Sequence, residues 1–134
     1  MLRFVSFLAA IGALLAAALS VTARAETGAG WQAYDANTFA AAQATGKTIV
    51  VDVYADWCPT CRAQAPILDE LREELAGETI AFIKVDFDKQ KAFLRAHRIP
   101  RQSTVLVFKG RKEIARSIAQ TDRNRLRAVV LGAL

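Results

Sequence analysis

The 134-residue chain carries 18 lysines and arginines against 13 aspartates and glutamates, a formal charge of +5, with two cysteines and one histidine. So short a chain makes one compact domain rather than two. Its two cysteines and single histidine exclude a disulfide-dense scaffold, and they exclude a closed zinc site built only from Cys and His ligands of one chain.

Read in order, the chain begins as an export signal. Arg3 is followed by an almost unbroken apolar run from Phe4 to Val21 and then by Ala23-Arg24-Ala25. A charged start, an apolar centre and a small-x-small ending are what a signal peptidase reads. Residues 1–25 are therefore expected to be removed after Ala25, leaving a mature domain of residues 26–134 in the periplasm. A retained anchor is the competing reading, because the run approaches the roughly 20 apolar residues that span a bilayer. With Arg3 and Arg24 removed, 16 basic residues face 13 acidic ones, an excess of only +3. The basic residues gather late in the chain, at Arg95, Arg98, Arg101, Lys109, Arg111, Lys112, Arg116, Arg123, Arg125 and Arg127. They read as a solvated surface or as steering towards an acidic partner. Nucleic acid is not an expected partner of an exported protein.

Glu26–Gly30 reads as a flexible lead and Trp31–Tyr34 as a brief edge strand. Asp35 or Asn37 caps a short Ala-rich helix over Asn37–Thr45, which Gly46 stops. Thr48–Tyr54 is β-branched and nearly all apolar, the pattern of a central strand buried on both faces. A helix from Cys58 to Leu75 follows, with Ile67, Leu68, Leu71 and Leu75 at three- and four-residue steps and a kink at Pro66. Ile80–Val85 is a second buried strand, Asp88–His97 a helix, and Thr104–Phe108 with Lys112–Ile118 a hairpin turning at Gly110. Thr121 or Asp122 caps a closing helix to Leu131. Strands alternating with helices, closed by a hairpin, predict an α/β domain whose central mixed sheet is covered by helices on both faces.

Cys58 and Cys61 stand three positions apart at a helix start, so their sulfurs share one face of its first turn. Unpaired N–H groups and the positive end of the helix dipole favour a thiolate at Cys58. That makes Cys58 the nucleophile. Cys61, one turn further in and expected to be the more buried, is then the resolving thiol that attacks the mixed disulfide. Pro59 fits the first helical turn, where its missing N–H loses nothing. Trp57 supplies an apolar shoulder, and Thr60 tunes the potential. Asp52 is the one charge in an apolar strand, and burying it is costly without a partner or a raised pKa. It is read as the carboxyl that takes and returns the Cys61 proton through water, with a hydrogen-bonded structural role as the alternative. Tyr54 and Asp56 receive no catalytic role, and His97 reads as a solvated residue.

Two other readings of the cysteines stay open. A static disulfide is compatible with export, although so small a loop offers little stabilisation. Two thiolates at this spacing are also half of a zinc site, whose other half would need carboxylates or a second chain.

The run Val51-Asp52-Val53-Tyr54-Ala55-Asp56-Trp57-Cys58-Pro59-Thr60-Cys61-Arg62-Ala63-Gln64-Ala65-Pro66 resembles the thioredoxin family. The family's buried Asp falls on Asp52, its Trp on Trp57, its nucleophilic and resolving cysteines on Cys58 and Cys61, and its helix-kinking proline on Pro66. The resemblance implies a thioredoxin fold over essentially the whole mature chain. It also implies dithiol–disulfide exchange with protein or peptide thiols, without a bound cofactor and by a monomer. Tyr54-Ala55-Asp56-Trp57-Cys58 is similar to the periplasmic thioredoxin-like domain of the membrane carrier that brings reducing power across bacterial inner membranes. That similarity implies a reductant, with a membrane-embedded thiol electron donor as a partner.

The family places a cis-proline opposite the cysteines, just before the strand that matches Thr104–Phe108. Here that position is Ser103, preceded by Gln102, and Pro100 lies three residues earlier. Arg101-Gln102-Ser103-Thr104 is expected to form the wall facing the sulfurs through a trans peptide, since a cis bond without proline costs about 2.5–4 kcal/mol. In the family this wall pairs its backbone with an incoming peptide. Gln102, Ser103 and Thr104 therefore join Trp57, Pro59 and Thr60 as candidate substrate-contacting residues. The missing proline is also the feature that favours the alternative of a metal-carrying or substrate-holding module without turnover. Pro59-Thr60 replaces the family's Gly-Pro, the lysine that neighbours the buried Asp aligns with Phe82, and Ala119-Gln120 stands where the family tends to have a glycine.

Overall fold

The computed structural model describes residues 30–134. The expected export segment and its cleavage point lie outside the described residues. Among the described residues, no helix is long and apolar enough to cross a membrane.

The elements run β1 (Gln32–Ala33), α1 (Ala36–Ala44), β2 (Thr48–Tyr54), α2 (Pro59–Glu74), β3 (Ile80–Asp86), α3 (Lys91–Ala96), β4 (Thr104–Lys109), β5 (Lys112–Ile118) and α4 (Arg123–Leu131). Five strands form one sheet in the order β1-β3-β2-β4-β5. β2 lies parallel to β3 and antiparallel to β4, and β4 turns back on β5. The mixed sheet is the expected one.

Alternation along each strand sends successive side chains to opposite faces. On β2, Ile49, Val51 and Val53 pack with Phe39 of α1 and Phe93 and Leu94 of α3. Val50 faces the other way, with Ile67, Leu68 and Leu71 of α2 and Leu126 and Val130 of α4. Asp52 shares the parity of Val50 and so lies on the α2 side of the sheet. This placement brings the strand's only carboxylate towards the helix that carries the cysteines.

α2 is held at both ends of its buried stripe of Cys61, Gln64, Ile67, Leu68 and Leu71. Cys58 caps its N-terminus, Pro59 occupies the first turn, and the helix continues through Pro66 to Glu74. Arg127 of α4 reaches Glu74 at 2.6 Å, and Arg123 pairs with Glu70. Asp35 rather than Asn37 caps α1, its carboxylate accepting the Thr38 N–H at 2.9 Å. Gly46 follows with φ +73°, and Gly110 at the hairpin turn has φ +57° with its N–H on the Lys47 carbonyl.

Several expectations fail locally. α3 starts at Lys91 instead of Asp88, because the Asp86 carboxylate accepts the Asp88 and Lys89 N–H groups at 2.9 and 3.2 Å and closes a turn first. His97 is half-buried, with its ring centroid 4.3 Å from Phe93 and 5.3 Å from Phe108. Burial holds its pKa down. It caps the C-terminus of α3 as part of the aromatic cluster and is not a solvated residue. The ladder between β4 and β5 also shifts register between Val107 and Phe108, a bulge with no signal in the sequence pattern.

Candidate active site

β2 runs out at Tyr54, whose carbonyl accepts the Phe87 N–H at 2.8 Å and so ties the exit of β2 to that of β3. The chain then turns. The Cys58 N–H bonds the Ala55 carbonyl at 3.1 Å, and α2 begins at Pro59. The Cys61 N–H donates to the Cys58 sulfur at 3.1 Å, so the thiol itself satisfies one of the orphan donors of the helix start. Both cysteines are free and buried, Cys58 at 0% and Cys61 at 8% exposure. The expected order of burial is not met in accessible surface; the loop before β4, the strand beside β2, lies against both sulfurs.

That loop carries Ser103. Its Oγ lies 3.2 Å from the Cys58 sulfur and 3.0 Å from the Cys61 sulfur. The backbone holds it there from three sides: the Ser103 N–H donates to the Val53 carbonyl at 2.8 Å, and its carbonyl accepts the Ala119 N–H at 2.8 Å and the Gln64 Nε2 at 3.4 Å. No peptide among the described residues is cis, and Ser103 sits at φ +62°, a left-handed conformation closed to proline. Both backbone groups of Ser103 are therefore engaged inside the protein rather than offered to a peptide.

On β2, Asp52 is 4% exposed and its Oδ1 meets no hydrogen-bond partner among the described residues. Lys84 stands in register with it on β3, 3.9 Å from its Oδ2. The expected alignment of Phe82 with the lysine position is thus wrong. Phe82 pairs with Val50, and the lysine that neighbours Asp52 is Lys84, whose ammonium also lies over the Trp31 and Tyr54 rings. Burial pushes the Asp52 pKa up to about 6, Lys84 pulling it down and Asp69 adding to the rise.

The two thiols differ electrically. Burial works against a thiolate at Cys58. Hydrogen bonds from the Cys61 thiol, the Ser103 hydroxyl, the Cys61 N–H and Gln102 outweigh it, and its pKa falls below the usual thiol value. At Cys61 burial dominates, the Cys58 sulfur adds to it, and the pKa rises. The pair therefore holds one proton on Cys61 and leaves Cys58 as the group that ionises first.

The thioredoxin family model matches residues 31–131. This chain belongs to the thioredoxin family. It is 32% identical to the thioredoxin of Chlamydia trachomatis over 95 residues, covering 71% of this chain and 90% of that one. It is 32% identical to thioredoxin-1 of Saccharomyces cerevisiae over 83 residues, 62% and 79% of the two chains. The crystal structure of Trxlp from Edwardsiella tarda superposes with a TM-score of 0.71 at 38% identity, over 75% of this chain and 98% of that chain. The protein is a thiol–disulfide oxidoreductase of the thioredoxin type, and thioredoxins act on protein thiols and disulfides.

Within this thioredoxin the expected substrate-contacting residues fall into three groups by exposure. Trp57, 56% exposed, flanks the cysteines with its indole N–H on the Asp88 carboxylate at 2.8 Å, and Pro59 is also exposed. Thr60 and Gln102 are half-buried. Ser103 and Thr104 are fully buried, and the Thr104 hydroxyl closes the loop onto the Arg101 carbonyl at 2.8 Å. The Thr104 side chain therefore belongs to the loop's scaffold and not to the surface a substrate meets. Among the described residues no three His, Cys, Asp or Glu side chains converge to hold a metal ion.

Three residues of the site escaped the sequence reading. Gln64, 0% exposed, joins α2 to the Ser103 carbonyl and, at 2.8 Å, to the Gln120 carbonyl. Its signal was available, as a polar residue three positions after Cys61 in an otherwise apolar buried stripe. Lys84 could be found only from the register of β2 and β3. Asp88, which anchors Trp57 across 31 residues of sequence, left no local sign.

Proposed function

We propose that this thioredoxin is exported, that it reduces disulfides of proteins outside the cytoplasm, and that a membrane-embedded thiol donor restores its dithiol. In this reading Cys58 attacks the substrate disulfide and Cys61 resolves the mixed disulfide. Asp52, ionised above its pKa of about 6, accepts the Cys61 proton through water. Trp57, Pro59, Thr60 and Gln102 form the rim on which the substrate rests.

The observation that carries the reading is the opposed behaviour of the two thiols. The helix start and the Ser103 loop favour a thiolate at Cys58, while burial keeps the proton on Cys61. Asp52, buried on the α2 side of the sheet with a pKa raised to about 6, is the carboxyl this reading uses to take and return the Cys61 proton. Export is supported by Arg3, the apolar run Phe4–Val21 and Ala23-Arg24-Ala25, which precede the first residue of the family match. The reductant role and the membrane donor are supported by the similarity of Tyr54-Ala55-Asp56-Trp57-Cys58 to the periplasmic domain of the membrane electron carrier.

The test is to equilibrate the purified protein with glutathione buffers and read the redox state of Cys58 and Cys61. A midpoint near about −270 mV, the value of thioredoxin, supports the reductant, and one near about −120 mV reverses the direction. Mass spectrometry of the protein recovered from the periplasm tests the other half, with an N-terminus at Glu26 as the expected result.

A further inference from the structure

Among the described residues, Ser103 is the one buried side chain whose polar atom lies within hydrogen-bonding distance of both sulfurs, at 3.2 Å from Cys58 and 3.0 Å from Cys61. It is 0% exposed, and its backbone N–H and carbonyl are both fixed by other partners, so the scaffold holds the residue against the sulfurs while its hydroxyl hydrogen can turn. A hydroxyl has one proton to donate and lone pairs with which to accept. When Cys58 is the thiolate and Cys61 the thiol, the proton of Ser103 and the Cys61 S–H both point at Cys58. Once Cys58 is bound to substrate its sulfur carries no charge, and a turn of the same hydroxyl aims its proton at Cys61.

From this geometry we propose that Ser103 is a catalytic residue, a single hydrogen-bond donor that stabilises the two thiolates of the reaction in succession. The proposal rests on the assignment of Cys58 as nucleophile. In the first step the Cys58 thiolate attacks a substrate disulfide R–S–S–R′. The substrate S–S bond breaks, a Cys58–S–R bond forms, and R′–S⁻ leaves and takes a proton from water. In the second step Cys61 gives its proton to Asp52 through water, and the Ser103 hydroxyl turns to the new thiolate. Cys61 then attacks the Cys58 sulfur, the Cys58–S–R bond breaks, and R–S⁻ departs, leaving a Cys58–Cys61 disulfide. The dithiol loses two electrons and the substrate gains two.

The experiment follows the reaction of the reduced protein with dithiobis-nitrobenzoate across pH by stopped flow. The first coloured thiolate reports attack by Cys58, and the second reports resolution by Cys61. Ser103→Gly and Ser103→Ala both remove the hydroxyl, and glycine is at home at φ +62°, so at least one variant keeps the loop. A hydrogen bond to an ionised group is worth enough to move a titration by about one pH unit. The expected result is that both variants move the midpoints of both phases upward by about one pH unit, a roughly tenfold loss of rate on the acid side of each profile. Midpoints that stay in place while rates fall, a shift in the first phase alone, or a shift in Ser103→Gly but not in Ser103→Ala would each overturn the shared donor. If Cys58→Ala still releases the first thiolate at the normal rate, the assignment of the nucleophile fails instead.

Discussion

Replacing Asp52 by Asn should stabilise the protein, and by an amount that depends on pH in a stated direction. In the folded chain the Asp52 pKa is raised from 3.8 to about 6, chiefly by burial. A group with a raised folded pKa contributes its full stability below the unfolded pKa, where both states hold the proton. That contribution is lost as pH rises through the folded pKa, because the native state must then bury a charge. The displacement from 3.8 to about 6 corresponds to about 3 kcal/mol at 1.36 kcal/mol per pH unit. Lys84 is only partly buried, so losing its partner returns a hydrated ammonium to solvent at small cost. Asp52→Asn should therefore unfold at higher denaturant than the parent at pH 8, by up to about 3 kcal/mol, with the difference shrinking between pH 6 and pH 4 and gone near pH 3.5. Urea melts at a series of pH values, with matched slopes, read this directly. A gain that does not change across that range, or a loss of stability at pH 8, would refute the assignment of a buried, strained carboxylate.

Three other substitutions test the loop. Gln64→Met keeps the volume but removes the donor to the Gln120 and Ser103 carbonyls, and should cost about 1 kcal/mol in a denaturant melt. Ala119→Gly relieves a residue held at φ +55° and should gain up to about 1 kcal/mol, raising Tm by roughly 4–8 °C in a calorimetric scan. Ser103→Pro would restore the family's residue, yet here it should destabilise by about 2 kcal/mol or more, because a ring fixed at negative φ cannot reach +62° and the N–H to the Val53 carbonyl is lost. Its measured unfolding free energy equal to the parent's would contradict the described loop.

What the sequence made legible was what local chemistry determines. Thr48–Tyr54 announced a buried central strand because both of its faces are apolar, and Cys58 with Pro59 announced a helix start because a cap and a proline in the first turn are local events. The cysteine pair carried its chemistry in its spacing. Long-range register was not legible. Lys84 reaches Asp52 only because β2 and β3 pair in parallel with Val50 opposite Phe82, and a count along the chain cannot supply that offset. The start of α3 was misplaced because Asp86 competes for the N–H groups that a helix would otherwise leave open. Ser103 was found as the residue at the missing proline, but its contact with both sulfurs depends on a left-handed φ and on three partners drawn from β2, α2 and the turn after β5.

Where the family uses a proline ring to shape this wall, the present chain uses hydrogen bonds, and the change bears on the redox balance of the site. Val53, Ala119 and Gln64 hold Ser103 by its backbone, away from the sulfurs. Its hydroxyl, in contrast, has a thiolate to donate to only while the cysteines are reduced. Oxidation removes that charged partner from a hydroxyl that is fully buried. A hydrogen bond to a charged group contributes about 1.5–3 kcal/mol, and about 30 mV of potential corresponds to 1.4 kcal/mol for a two-electron couple. Ser103 thus favours the dithiol and raises the potential by about 30–60 mV over the same site without it. The Ser103 hydroxyl thus does at this wall what a proline ring cannot, placing a hydrogen-bond donor within 3.2 Å of both sulfurs.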